Sequence, residues 1–444
     1  MPESVYLVPM ERSRIQVLAP DVARRIAAGE VIDRPAAAVR ELLDNAIDSG
    51  AQTITVELTG GGIESLRVVD NGSGMVRSDL ELSILPHATS KISSIDDLLS
   101  LGTLGFRGEA LSSMAAVADI QIVSSTGEGP AWKLTAGPGV KMDMAMSHGP
   151  KGTSVTLRSL FANFPARRQF LKRPAAEAAA CKAVVLEKAM AFPAIAFRMT
   201  SDGRQSVALV PGSLEERVLA AAIPGQPAEF FRGLVASGNG FSARLVAGTP
   251  DVYRNDRRLI QVFVNGRRVQ EYAIAQALEY SYRGWLPGGA WPVVCAFIDV
   301  DPAMADFNIH PAKKEVRLKN VDDIRGGVIG AIRDWLAGRQ RLAGGYRASG
   351  HSDGMIHSGI VYHNEHETWS AMADAIAEAR QASSSGTQRV YDNVTTPLAA
   401  PVPSPDTAAG ATIAASCETV QAGGYGGERP EVMPDPERIR YVGQ

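Results

Sequence analysis

"ELLDNAIDSG" runs from Glu41 to Gly50. Glu41 and Asn45 are four residues apart, so on a helix they share one face, with Asp48 close to the same line. Leu42, Leu43, Ala46 and Ile47 fill much of the remaining circumference, which predicts a helix buried on several sides. A carboxylate and a carboxamide on such a helix are either satisfied by neighbours or aimed into a site. Upstream, "PDVARRIAAGEVIDRPAAAVR" reads as an earlier helix and then the start of this one, with Pro35 in the first turn, where a missing N–H costs least. Downstream, "TITVELT" and "SLRVVD" read as strands joined by a turn at Gly60-Gly61-Gly62.

Helical and strand patterns alternate up to about residue 215: "SIDDLLSL", "GEALSSMAAVA" and "AAEAAACKAVVLEKAMA" read as helices and "GTSVTLRSLF" as a strand. A second unit spans 216–338. It holds the strand "RLIQVFVNGRRV" with a tight Asn265-Gly266 turn, the helix "YAIAQALEYSYRGWL", the buried strand "WPVVCAFIDVD" and a closing helix "VDDIRGGVIGAIRDWLAG". From 339 to 444 Gly, Ser, Ala, Pro and Thr dominate. Such a tract buries too little to offset chain entropy, and a disordered tail with one short helix near Trp369 is expected.

A chain of 444 residues suggests two or three domains. The formal net charge of -3 gives no global basic field, although a local basic groove is compatible with it. Cys181, Cys295 and Cys417 are far apart and form no CxxC pair, which argues against a zinc site or a disulfide framework and fits a reducing cytoplasm. No stretch approaches the roughly 20 apolar residues of a membrane span, and no signal-peptide core opens the chain.

Four further stretches carry chemistry. In "VVDNGSGM" a strand ends on Asp70, whose carboxylate can accept a hydrogen bond from an exocyclic amine such as that of adenine. Gly72 and Gly74 let backbone approach a flat ligand, although Asp-Asn-Gly alone is a turn signal. In "GTLGFRGEALSS" Gly102, Gly105 and Gly108 lead into a helix, offering N–H groups and a positive dipole end to phosphate. It is no Walker A loop, since GxxxxGK[ST] occurs nowhere in the chain. In "HATSK" Ser90 and Lys91 are candidates for reaching phosphate. In "NIHPAKKEVRL" Lys313 and Lys314 follow a rigid His310-Pro311 turn, where a solvated charge run is the bland alternative.

Taken together, in this order, these stretches resemble the GHKL ATPases and, within them, the MutL family of DNA mismatch repair proteins. "IAAGEVIDRPAAAVRELLDNAIDSGA", "HATSKI", "LGFRGEALSSM", "FPARRQFL" and "FNIHPAKKEVRL" carry the resemblance, which covers about residues 15–338. It implies an α+β fold: a GHKL (Bergerat) ATPase sandwich over residues 1–215, then a smaller α/β transducer domain with a left-handed βαβ crossover over 216–338. It implies ATP and Mg²⁺ as cofactors. Glu41 matches the general base and Asn45 the Mg²⁺ ligand. Asp70 matches the adenine-reading aspartate, with Gly72 and Gly74 beneath the base and Thr153 beside it. Gly105, Phe106, Arg107, Gly108 and Glu109 match the phosphate-cradling lid, with Lys91 reaching in. Lys313 matches a second-domain lysine that reaches the γ-phosphate.

The resemblance further implies a slowly hydrolysing ATP switch that dimerises through its N-terminal halves and holds DNA. Its partners would be a MutS-type mismatch-recognition protein and a downstream nuclease or helicase, in a cytoplasmic, nucleoid-associated setting. Arg167, Arg168, Arg267 and Arg268 are the candidates for DNA phosphate. Asp44 stands where Glu is more usual, and Pro86 where a basic residue is. No stretch resembles the family's C-terminal dimerisation domain or its DQHAxxE-type nicking motif. The alternative is a truncated module that binds nucleotide and DNA without completing an ATPase cycle.

Overall fold

The computed structural model describes residues 17, 28–29, 31–91, 103–105, 108–307 and 315–344. Helix α1 (Pro35–Asp48) is the one anticipated around Glu41, and it buries Val39, Leu42, Leu43, Asp44 and Ala46. The earlier helix falls mostly outside the described residues. So do "SIDDLLSL", the His310–Lys314 segment and the tail.

α1 lies over a mixed sheet of β1 (Thr53–Thr59), β2 (Ser65–Asp70), β3 (Asp119–Ser125), β4 (Ala131–Gly137), β5 (Val140–Ser147), β6 (Gly152–Arg158), β7 (Ala196–Ser201) and β8 (Arg204–Leu209). The strand order is β5-β4-β3-β6-β2-β1-β7-β8; β1 and β7 are parallel and the other pairs antiparallel. Alternation sets the faces. In β1, Ile54, Val56 and Leu58 turn into the core while Thr53, Thr55 and Glu57 turn outward. α1, α3 (Ala110–Val117) and α5 (Pro174–Ala191) bury their apolar sides in that same core, leaving the opposite sheet face open. The short α2 (Arg77–Leu82) and α4 (Pro165–Gln169) lie in the connections. α1 and α5 are joined by polar pairs: Arg40 to Glu187 at 2.6 Å, and a buried pair between Asp44 and Lys188.

The second sheet contains β9 (Phe231–Gly238), β10 (Phe241–Gly248), β11 (Ile260–Val264), β12 (Arg267–Val269) and β13 (Val294–Val300), in the order β12-β11-β13-β10-β9. Both faces are covered, so its central strands are apolar on both sides. Val262, Val264, Ala296 and Ile298 face α7 (Tyr272–Ser281) and α8 (Val321–Gly344). Phe263, Cys295 and Phe297 face α6 (Leu214–Ala222) and Met190 of α5, with the Phe263 and Phe297 rings stacked at 4.6 Å. β11 and β13 are parallel neighbours, and the chain passes between them through α7. α8 runs on to Gly344, past the boundary anticipated at 338.

Two details fix how the sheets meet. Asn265 and Gly266 have φ of 48° and 74°, the positive pair that a two-residue hairpin turn requires. The Asn265 side chain bonds the N–H and carbonyl of Val300 at 2.9 and 3.0 Å, and a Cβ on Gly266 would lie 2.6 Å from the Phe192 ring. Arg217 of α6 is buried, and its Nη2 donates to the carbonyls of Pro193, Ile195 and Val210 at 2.8, 2.8 and 2.7 Å. Its Nη1 donates to those of Ala189 and Phe192 at 3.0 and 3.4 Å. Carbonyls at the end of α5 present the negative end of a helix dipole, which suits a buried cation.

Candidate functional site

A cleft of about 2170 Å³ opens between α1, the ends of β2 and β6, and the edge of the second sheet. Glu41, Asn45, Asp70, Gly74, Lys91, Gly105, Gly108, Glu109, Thr153, Arg267 and Arg268 all line it. These residues come from segments far apart in the chain, and α1 supplies the first two from one face. The buried side of α1 packs into the core and so fixes where that face points.

At one end sits Asp70. It pairs in register with Thr153 across β2 and β6, and its Oδ1 accepts the Gly72 N–H at 2.8 Å. Burial pushes its carboxyl above the ordinary carboxylate value, partly offset by the N–H groups of Gly72 and Thr153 and by the Ser49 side chain. The turn beyond it needs its glycines. A Cβ on Gly72 would lie 1.9 Å from the Ser49 oxygen. One on Gly74, at φ 70°, would lie 2.0 Å from the Ser125 carbonyl. Asn71 accepts the N–H groups of Gln52 and Thr53, both at 2.8 Å, tying this turn to the start of β1. Ser124 was not singled out by the sequence reading. Its hydroxyl lies 2.8 Å from that of Thr153 and accepts the Met75 N–H at 2.9 Å. Its place at the end of β3, in register with Thr153, is the signal that could have found it.

At the other end Lys91 donates to Asn45 Oδ1 at 3.0 Å and to Asp48 Oδ2 at 2.6 Å. Asp48 also accepts the Leu104 N–H at 2.9 Å and the Gly105 N–H at 3.1 Å, so it braces the base of the glycine loop as well as ending a helix. A Cβ on Gly105 would approach Lys91 Nζ at 3.1 Å and Asn45 Oδ1 at 3.6 Å, so glycine keeps this polar corner open. Glu109 lies 3.3 Å from His87, and a Cβ on Gly108, at φ 60°, would lie 2.5 Å from the Ala88 carbonyl. Phe106, Arg107 and Lys313 lie outside the described residues.

The four arginines expected to face DNA part company. Arg168 and Arg268 are exposed, Arg268 being 3.9 Å from Glu187. Arg167 is half-buried and donates to the Ile32 carbonyl at 3.2 Å. Arg267 is a correction: it is buried, and it donates to the carbonyls of Thr103 and Leu104 at 2.8 Å each, so it presents no surface to DNA. Burial pulls its affinity for a proton down, while Asp44, Asp48 and Glu41 pull the other way.

Known proteins share this architecture. Residues 33–138 match the family described as "Histidine kinase-, DNA gyrase B-, and HSP90-like ATPase", and residues 231–337 match "DNA mismatch repair protein, C-terminal domain". The helices over one face of the mixed sheet, with the cleft beneath α1, are those of a GHKL-type ATPase fold. The DNA mismatch repair protein MutL of Treponema pallidum is 43% identical over 331 residues, covering 70% of this chain and 52% of that protein. MutL of Geobacillus kaustophilus is 39% identical over 320 residues, covering 72% and 51%. The crystal structure of the N-terminal domain of a DNA repair protein superposes with a TM-score of 0.59 at 25% identity, covering 72% of this chain and 99% of that one. The chain belongs to the MutL family of DNA mismatch repair proteins, and it spans about half the length of the curated relatives it matches. Among the described residues no helix is long and apolar enough to cross a membrane.

Proposed function

We propose that this chain is an ATP-binding, slowly hydrolysing switch of DNA mismatch repair, acting in the cytoplasm. The observation that carries the reading is the convergence of Glu41, Asn45 and Asp70 on one cleft, which Gly105 and Gly108 also line. The residues present suit the nucleotide. Asp70 offers a carboxylate acceptor to an exocyclic amine at a turn where glycines leave no side chain above the backbone. They also suit magnesium. Asn45 Oδ1 already faces a cation, the Lys91 ammonium, and an amide oxygen is a hard donor. Bound there, magnesium would neutralise phosphate charge.

The chain's own groups divide the remaining work. Glu41 is one helical turn from Asn45, on the side facing the cleft, where it can take a proton from water. Lys91 donates to whichever oxygen stands before it. Lys313, Phe106 and Arg107 are assigned to the phosphates by their match to the family's motifs. Partners follow from family membership: DNA, a mismatch-recognition protein, a downstream nuclease or helicase, and a second copy of this chain. The domain limits near 215 and 338 belong to the same reading.

Sedimentation and nucleotide binding test it together, on the wild type and Glu41→Ala, with ATP or adenylyl imidodiphosphate and Mg²⁺. Both chains should bind the analogue and shift from monomer to dimer. Glu41→Ala should turn over about 10²–10⁴-fold more slowly. Normal turnover in Glu41→Ala would remove the base assignment. A wild type that binds nucleotide but neither dimerises nor turns over would leave a binding module.

A further inference from the structure

Arg267 is a buried group of this cleft to which the reading above gives no task. Its Nη2 holds the carbonyls of Thr103 and Leu104, while Asp48 holds the N–H groups of Leu104 and Gly105 from the other side. The base of the glycine loop is therefore gripped twice, from α1 and from β12. The guanidinium also lies 4.9 Å from the ring centre of Phe307, the residue that leads into the segment bearing Lys313. Its Nη1 is buried with no hydrogen-bond partner among the described residues. β12 is itself anchored, through Asn265 to Val300 and through Gly266 against Phe192.

We propose that Arg267 is the positioning residue that couples residues 103–105, at the base of the glycine loop of the nucleotide site, to the second sheet, so that a displacement of 103–105 is transmitted to β11 and β12. The proposal rests on the nucleotide reading. Its physical basis is the planar guanidinium, which holds both N–H groups of Nη2 in one fixed plane. Two successive carbonyls converge on one Nη2, so a shift of the loop either carries Arg267 with it or breaks two charge-assisted bonds. Breaking them strands a buried cation, which is costly. Loop and strand therefore tend to move as one. By linkage, whatever repositions the second sheet changes nucleotide affinity by the factor with which nucleotide repositions the sheet.

Hydrogen–deuterium exchange on the whole chain tests this, with and without adenylyl imidodiphosphate and Mg²⁺. In the wild type, residues 41–48 and 70–74 should gain protection together with 103–105 and 260–269. Arg267→Met, close in volume, should keep the gain at 41–48 and 70–74 and lose at least about fivefold of it at 260–269. Arg267→Lys keeps the charge and guards against simple misfolding of the Met variant; its ammonium has donors enough but lacks the reach and the fixed plane of the guanidinium, and it should lose the transmitted protection too. Undiminished protection at 260–269 in either variant would overturn the coupling. So would weakened DNA binding with an unaltered exchange pattern. A wild type showing no protection at 41–48 and 70–74 would instead sink the nucleotide reading, and the coupling with it.

Discussion

Asp70 shows how a single side chain trades stability against binding. Its carboxyl is held above the ordinary value chiefly by burial. A carboxyl raised in the folded state binds its proton more tightly there than in the unfolded chain. That favours the fold below the ordinary carboxyl value, and the advantage is lost as pH climbs through the folded one. Asp70→Asn keeps an acceptor for the Gly72 N–H and carries no charge. The ligand-free variant should melt at or above the wild type near pH 7, with the gap closing toward about pH 4. It should bind adenine nucleotide at least about tenfold more weakly. Thermal melts across pH and titration calorimetry read the two effects; a lower melt with unchanged affinity would refute both. Asp70 was legible from sequence because strand end, turn and glycines are local signals. The loop-bracing role of Asp48 was not, because its partner N–H groups lie 56 and 57 positions away. Arg267 had a usable signal that the reading passed over. Strand alternation turns Arg267 inward and Arg268 outward, so two adjacent arginines cannot share a surface role.

At the scale of elements, α1 is positioned by α5. Asp44 and Lys188 form a buried pair between them, at 5% and 4% exposure. The sequence indicated both helices through their periodicity, but not this pairing, since 3.6-residue repeats say which face is apolar and not which helix it meets. Lys188→Met alone leaves a buried carboxylate without its partner and should cost about 3–5 kcal/mol. Asp44→Leu combined with Lys188→Met should recover most of that, because the paired charges roughly offset their own desolvation. Denaturant unfolding of both single variants and the double gives the coupling. A double variant as unstable as the sum of the singles would mean that the pair is not one energetic unit.

Across the molecule, the two sheets and their cores meet where α5 ends and α6 begins, and Arg217 closes that junction with five carbonyls. The sequence indicated β1, β2, β6, β11 and β13 and the helices α1, α3, α5, α7 and α8, but not β3–β5, β7–β10 or α6, and the resemblance to a known family supplied the architecture. The junction could not be read, because an arginine in "LEERVLAAA" looks like an ordinary polar face. Arg217→Met removes the shared donor, and leaving even part of that set unsatisfied should cost about 3 kcal/mol or more. Calorimetry should resolve this as a lower melting temperature, with the second sheet melting before the first. A single transition at the wild-type temperature would show that the junction rests on apolar contact alone.

The five acceptors are main-chain atoms, contributed by Ala189, Phe192, Pro193, Ile195 and Val210. Every amino acid brings the same carbonyl. Sequence drift at those five positions cannot delete an acceptor, whereas the Asp44–Lys188 pair can be broken from either side and repaired from the other. The seating of α6 on the end of α5 is thus written, for these five bonds, in a single codon: robust to change at every acceptor, and exposed to change at one donor.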